Sequence, residues 1–137
     1  MGAWAADSFG NDDAMDWVFD LQKSSGLNIV RSAIAGVPDS GEYIEAPEAS
    51  VALAAAEVVA ALLGRPMAEL PDEVSAWVNA HRELVPDDDL VRSVRQTCVR
   101  IGDDLESSEL AQLWAEAAPD DREAWRAGVR SLRERLG

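Results

Sequence analysis

The chain has 137 residues, enough for one domain to bury roughly two-thirds of the surface its unfolded form exposes. Twenty-six acidic side chains against twelve Lys and Arg leave a net charge of −14, which repels nucleic-acid phosphate and speaks against DNA or RNA as a partner. The single cysteine, Cys98, excludes an intrachain disulfide and a cysteine-built zinc site, and no apolar run reaches the ~18 residues of a membrane span.

From the first residue, Met1 to Asp7 shows neither the basic region nor the long apolar stretch of a secretory leader, and Ala6 stands where an acylation signal needs Ser or Thr. A cytoplasmic protein is expected. Asn11 is placed to cap the first helix, with Asp12 and Asp13 in the turn where the helix dipole favours negative charge, and Ala14, Trp17, Val18 and Leu21 form its apolar stripe. Ile29, Val30, Ala33, Ile34 and Val37 define a shorter second helix that Pro38 stops. Pro47 suits the first turn of a third, and the alanine-rich run from Ala49 to Leu63 has high helix propensity until Gly64. So many small side chains let neighbouring helices approach closely.

Pro71 is read as another first-turn proline, after which Val74, Trp77, Val78 and His81 share one face. Asp87 to Asp89 open a fifth helix, in which Val91, Val94, Cys98, Ile101 and Leu105 alternate by three and four and therefore belong in a core. Ser107 or Ser108 caps a short helix bearing Leu110, Leu113, Trp114 and Ala117. Pro119 separates it from a last helix with Trp125, Val129, Leu132 and Leu136 inward. No strand-like alternation persists, and no linker or internal repeat interrupts the pattern. The prediction is an all-α fold: one domain over residues 1–137, a helical bundle of about six to seven amphipathic helices.

Few residues carry recognisable chemistry. His81 is the only histidine and lies on an apolar face, and Cys98 sits within an apolar stripe, so both read as packed side chains. There is no Gly-x-Ser-x-Gly elbow and no glycine-rich phosphate loop. No residue is assigned a catalytic role, and no cofactor is expected. Asp12, Asp16 and Asp20 are four apart and line one helical face. Such a face either meets a basic partner or, as in helical enzymes with a DDxxD string, holds a divalent metal. Glu42, Glu45, Glu48 and Glu57 form a second acidic set that could complement it. Charge is segregated: residues 1–50 hold nine acids against Lys23 and Arg31, whereas the last eighteen hold five arginines against four acids. Arg122, Arg126, Arg130 and Arg133 make a basic stripe on the last helix, which pairs internally or serves an acidic partner. Trp17, Trp77, Trp114 and Trp125 have helical apolar neighbours, whereas Trp4 precedes any helix and, with Phe9, either anchors the N-terminal segment or contacts a partner.

Met1-Gly2-Ala3-Trp4, Phe9, Asn11-Asp12, Ala14 and Asp16-Trp17 together resemble the opening of a bacterial, notably actinobacterial, family that is a domain of unknown function. Glu42 to Ala49 and Leu70 to Trp77 extend the resemblance along nearly the whole chain. Ala5 stands where the family usually has Gly, which bears on any tight turn after Trp4, and Gly10 where it commonly has an acid. The resemblance implies a single fold and a bacterial cytoplasmic setting, and it implies no activity.

The function read from these residues is a small acidic interaction module. It would mask a basic protein partner in the manner of an antitoxin or immunity protein, through Trp4, Phe9, Asp12, Asp16 and Asp20. The alternatives are a divalent-metal-dependent hydrolase of phosphorylated or nucleotide substrates, with Asp12, Asp16, Glu45 and Glu48 as candidate ligands, and a homodimer formed on the tryptophan or arginine seam.

Overall fold

A computed structural model describes residues 7–39 and 41–137, and among them seven helices and no strand are formed. These are α1 (Asp12–Gln22), α2 (Asn28–Ala35), α3 (Ala46–Leu62), α4 (Asp72–Ala80), α5 (Asp88–Asp103), α6 (Glu109–Ala115) and α7 (Pro119–Leu136). The caps follow from side-chain chemistry. Asn11 Oδ1 accepts from the Ala14 amide at 2.8 Å, Asp87 Oδ1 from Leu90 at 2.8 Å, and Ser108 Oγ from Ala111 at 3.2 Å, each closing an amide that a helix leaves open at its start.

The organising element is α3. Its residues from Ala52 to Ala61 are all buried, and each of the other six helices packs against it. A helix that is apolar all round has no face to give to water and must lie at the centre. Alanine supplies little apolar area itself, but its small Cβ admits larger side chains from every direction: Trp17, Val18 and Leu21 from α1, Val74 and Trp77 from α4, Val94 and Ile101 from α5, and Leu132 and Leu136 from α7. The bundle is thus six amphipathic helices around one helix that is apolar nearly all round, with Glu57 its one buried charge.

The N-terminus of α3 has no cap of its own, and α6 provides one. Glu109 Oε1 accepts from the Ala46 amide at 2.6 Å. An isolated parallel bridge joins Ile44 to Ser108, with Ile44 N donating to the Ser107 carbonyl at 2.6 Å and Glu109 N donating to the Ile44 carbonyl at 3.0 Å. The buried Ser108 hydroxyl also donates to the Ile101 carbonyl of α5 at 2.7 Å.

Three sequence expectations need correction. Val37 is buried but lies beyond α2, which ends at Ala35 and is followed by Gly36, because a residue before proline is driven out of the helical region. Leu105 does not continue the α5 stripe and is 49% exposed. Asp104 Oδ1 accepts from the amides of Glu106 and Ser107 at 3.1 and 3.2 Å, which competes with the next helical turn and stops α5 at Asp103. Pro71 is the residue before α4 and not its first turn.

Glu57 is the one charged side chain that is buried among the described residues. Its carboxylate is met by Arg135 of α7, with Nη1 donating to Oε1 at 2.8 Å and Nη2 to Oε2 at 3.2 Å. The side chains are 3% and 18% exposed. Arg135 and Arg65 also exchange guanidinium-to-carbonyl bonds at 3.2 and 2.9 Å, tying the end of α7 to the turn after α3. Arg135→Met is therefore expected to strand a buried carboxylate and lower stability by about 3–5 kcal/mol in denaturant unfolding, while Glu57→Met/Arg135→Met recovers most of that loss. A loss in the double variant equal to the sum of the Glu57→Met and Arg135→Met losses would show that the pair carries no coupling.

Candidate functional site

The buried stripe of α1 leaves Asp12, Asp16 and Asp20 on its solvent side, all exposed. None takes part in an ion pair among the described residues. The helix dipole accounts for Asp12 and Asp13 in the first turn. It does not account for Asp20, which stands in the last turn where the dipole opposes a negative charge and where α1 has no basic side chain to offset it. Beside Asp20, Phe19 is 59% exposed, and the Lys23 Nζ lies 4.0 Å from the centroid of its ring. A cation held over an aromatic face at this distance is attracted by the ring's quadrupole. The solvent side of α1 thus carries three aspartates and, beside Asp20, an exposed aromatic ring that already holds a cation. Phe19 falls outside the three-and-four stripe of α1, and that displacement from the buried register was its one signal in the sequence.

Phe9, read from the sequence as a partner contact, is corrected: it is 4% exposed and belongs to the core. Its amide donates to Asp7 Oδ1 at 2.9 Å and the Gly10 amide to the Asp7 carbonyl at 3.3 Å, a turn that directs the ring inward ahead of α1. Trp4 lies outside the described residues. The second acidic set does not assemble, because Glu57 is buried on Arg135 while Glu42 and Glu45 are exposed. Glu48 lines a shallow apolar groove of about 320 Å³ between α2 and α3 together with Asp13, not with Asp12, Asp16 or Asp20. Among the described residues no group of three or more His, Cys, Asp or Glu side chains is arranged to hold a metal ion.

The remaining titratable candidates divide between packed and exposed. His81 stacks on Trp77 with ring centroids 4.2 Å apart, and its Nδ1 lies 2.7 Å from the Trp77 carbonyl, so that nitrogen carries the proton and donates. On α7, Arg122 reaches the Ala115 carbonyl at 3.4 Å and Arg133 pairs with Asp103 at 2.9 Å, whereas Arg126 and Arg130 are exposed and form no ion pair among the described residues. No described helix is long and apolar enough to cross a membrane.

Cys98 is 1% exposed, and burial, reinforced by the nearby Glu57 carboxylate, pushes its thiol up to about 12 from the usual 9.0. Thiolate chemistry is closed to it near neutral pH. Above pH 9.0 an unfolded thiol loses its proton while the folded one keeps it to about 12, so stability is fully present below 9.0 and is lost as pH rises toward 12. Urea unfolding across that range should show a steeper alkaline loss for wild type than for Cys98→Ala, approaching about 1.4 kcal/mol per pH unit. Parallel slopes would mean that the folded thiol titrates as an exposed one does.

No curated protein and no solved structure matches the chain. Residues 2–128 match the profile of a family described as domain of unknown function, DUF4259. That span takes in α1 to α6, the acidic face and most of α7, and the chain belongs to this family.

Proposed function

We propose that the chain is a small acidic interaction module of the bacterial cytoplasm that docks on a cationic protein surface through α1, masking it as an antitoxin or immunity protein would. Asp12, Asp16 and Asp20 supply the charge, and Phe19, beside Asp20 toward the end of α1, supplies the apolar contact. The observation that supports this reading is the Lys23 ammonium seated 4.0 Å over Phe19: the chain's own cation occupies the position that a partner's Lys or Arg would take. Aspartates that form no ion pair among the described residues, on a chain of net charge −14, steer a cationic surface toward this face and raise the rate of encounter. An exposed aromatic ring beside such charges has the character of an interface hot spot, where one side chain carries much of the binding energy.

A lysine- and arginine-rich peptide, titrated into the labelled protein and followed by amide chemical shifts, is expected to perturb α1 first. Phe19→Ala should weaken its binding about tenfold, near the ~1.4 kcal/mol that separates one decade in affinity. Asp12→Asn/Asp16→Asn/Asp20→Asn should weaken it further and flatten its salt dependence. Shifts spread evenly over the acidic surface, with affinity indifferent to both variants, would overturn the reading.

A further inference from the structure

The end of α5, α6 and the middle of α7 enclose a cleft of about 310 Å³. Its walls include Trp114, Trp125, Arg126, Arg130, Arg133 and Asp103. Arg126, Arg130 and Arg133 lie at i, i+4 and i+7, so three guanidinium groups share one face of one helix, an arrangement that is mutually repulsive unless answered. Asp103 answers only Arg133, at 2.9 Å. The helix dipole accounts for Arg133 and Arg135, which stand in the last turn, but not for Arg126 and Arg130, which stand in the middle of an eighteen-residue helix. The chain has twenty-six acidic side chains, and none pairs with these two among the described residues. Beside them, the Trp114 and Trp125 rings stack with centroids 6.2 Å apart and planes 12° from parallel. Trp125 is buried and holds the pair in the core, while Trp114 is only half-buried.

We infer that this cleft binds a small organic anion, whose carboxylate or phosphate is taken by Arg126 and Arg130 and whose flat body lies against the Trp114 indole. Guanidinium groups match oxyanions through paired N–H donors, and an indole presents a broad apolar face to a planar ring. A volume of about 310 Å³ admits one or two fused rings with a charged substituent and no more. The net charge of −14 points to a small anion over a polyanion, because long-range repulsion grows with each charge the ligand brings. The cleft stands on α5, α6 and α7 and is independent of the acidic face of α1.

The test uses phenyl phosphate and inorganic phosphate as probes, with binding read from the indole N–H resonances of the full chain. Phenyl phosphate is expected to shift the Trp114 and Trp125 signals saturably and to bind at least tenfold more tightly than inorganic phosphate. Arg126→Gln/Arg130→Gln should weaken it at least tenfold with the melting temperature unchanged, since both side chains are exposed and form no ion pair among the described residues. Trp114→Leu should abolish the preference for the aryl probe and leave the weaker phosphate response. Equal affinity for the two probes, or binding indifferent to the arginine pair, would overturn the inference. Shifts confined to Trp17 and Trp77 would place the anion elsewhere and overturn it equally.

Discussion

A carboxylate in the middle of an alanine-rich helix that touches every other helix is the constraint on which this fold turns. Glu57 interrupts a run that would otherwise pack equally well against its neighbours in several rotations and registers, since alanine faces differ little from one another. Arg135 meets it with two roughly parallel bonds, and a planar guanidinium can do so from only one direction. The partner comes from the last turn of α7, 78 residues further along the chain, so the central helix is not electrostatically satisfied until α7 has docked. Burying an ion pair is not in itself a strong source of stability. Its effect here is selective: α7 can take one axial position against α3, and its outward arginines are set in place as a consequence.

Charge is therefore divided between two helices that each use α3 as their floor. α1 turns its aspartates and Phe19 to solvent, and α7 turns Arg126 and Arg130 to the cleft shared with α5 and α6. Neither group is explained by helix electrostatics alone, because Asp20 lies at the wrong end of its helix and the two arginines lie at neither end of theirs. A molecule that folds by small apolar contacts has left its strongest charges free of structural duty in these two places.

Much of this was legible in the sequence because it is written locally. The caps Asn11, Asp87 and Ser108, the stripes of α1, α4 and α7, and the high helix propensity of α3 all depend on residues within a turn or two of each other. The failures have a common physical origin in side chains whose partners are distant or in competition. Glu57 looked like one more surface acid because its partner lies 78 residues away. Leu105 kept the correct spacing, yet Asp104 captured the amides that another helical turn would have needed. Phe9, offered as a partner contact, turned inward, and Phe19, to which no role was given, turned out. The register of α1 already set Phe19 outside its buried stripe, whereas Phe9 precedes the helix and has no register to read.

Glu109 closes the first amide of α3 while its own helix, α6, is only seven residues long and too short to persist by itself. The central helix thus borrows its N-terminal cap from the least self-sufficient helix of the bundle. Ser108, bonded both to the end of α5 and to the start of α6, extends the same dependence to a third element. When α6 frays, the start of α3 loses its cap and the end of α5 loses a hydrogen bond in the same event, so the three give way as one cooperative unit. Trp114 rides on α6, and whatever holds that ring in place from outside would tighten the hydrogen bonding at the centre of the bundle through the backbone of a single short turn.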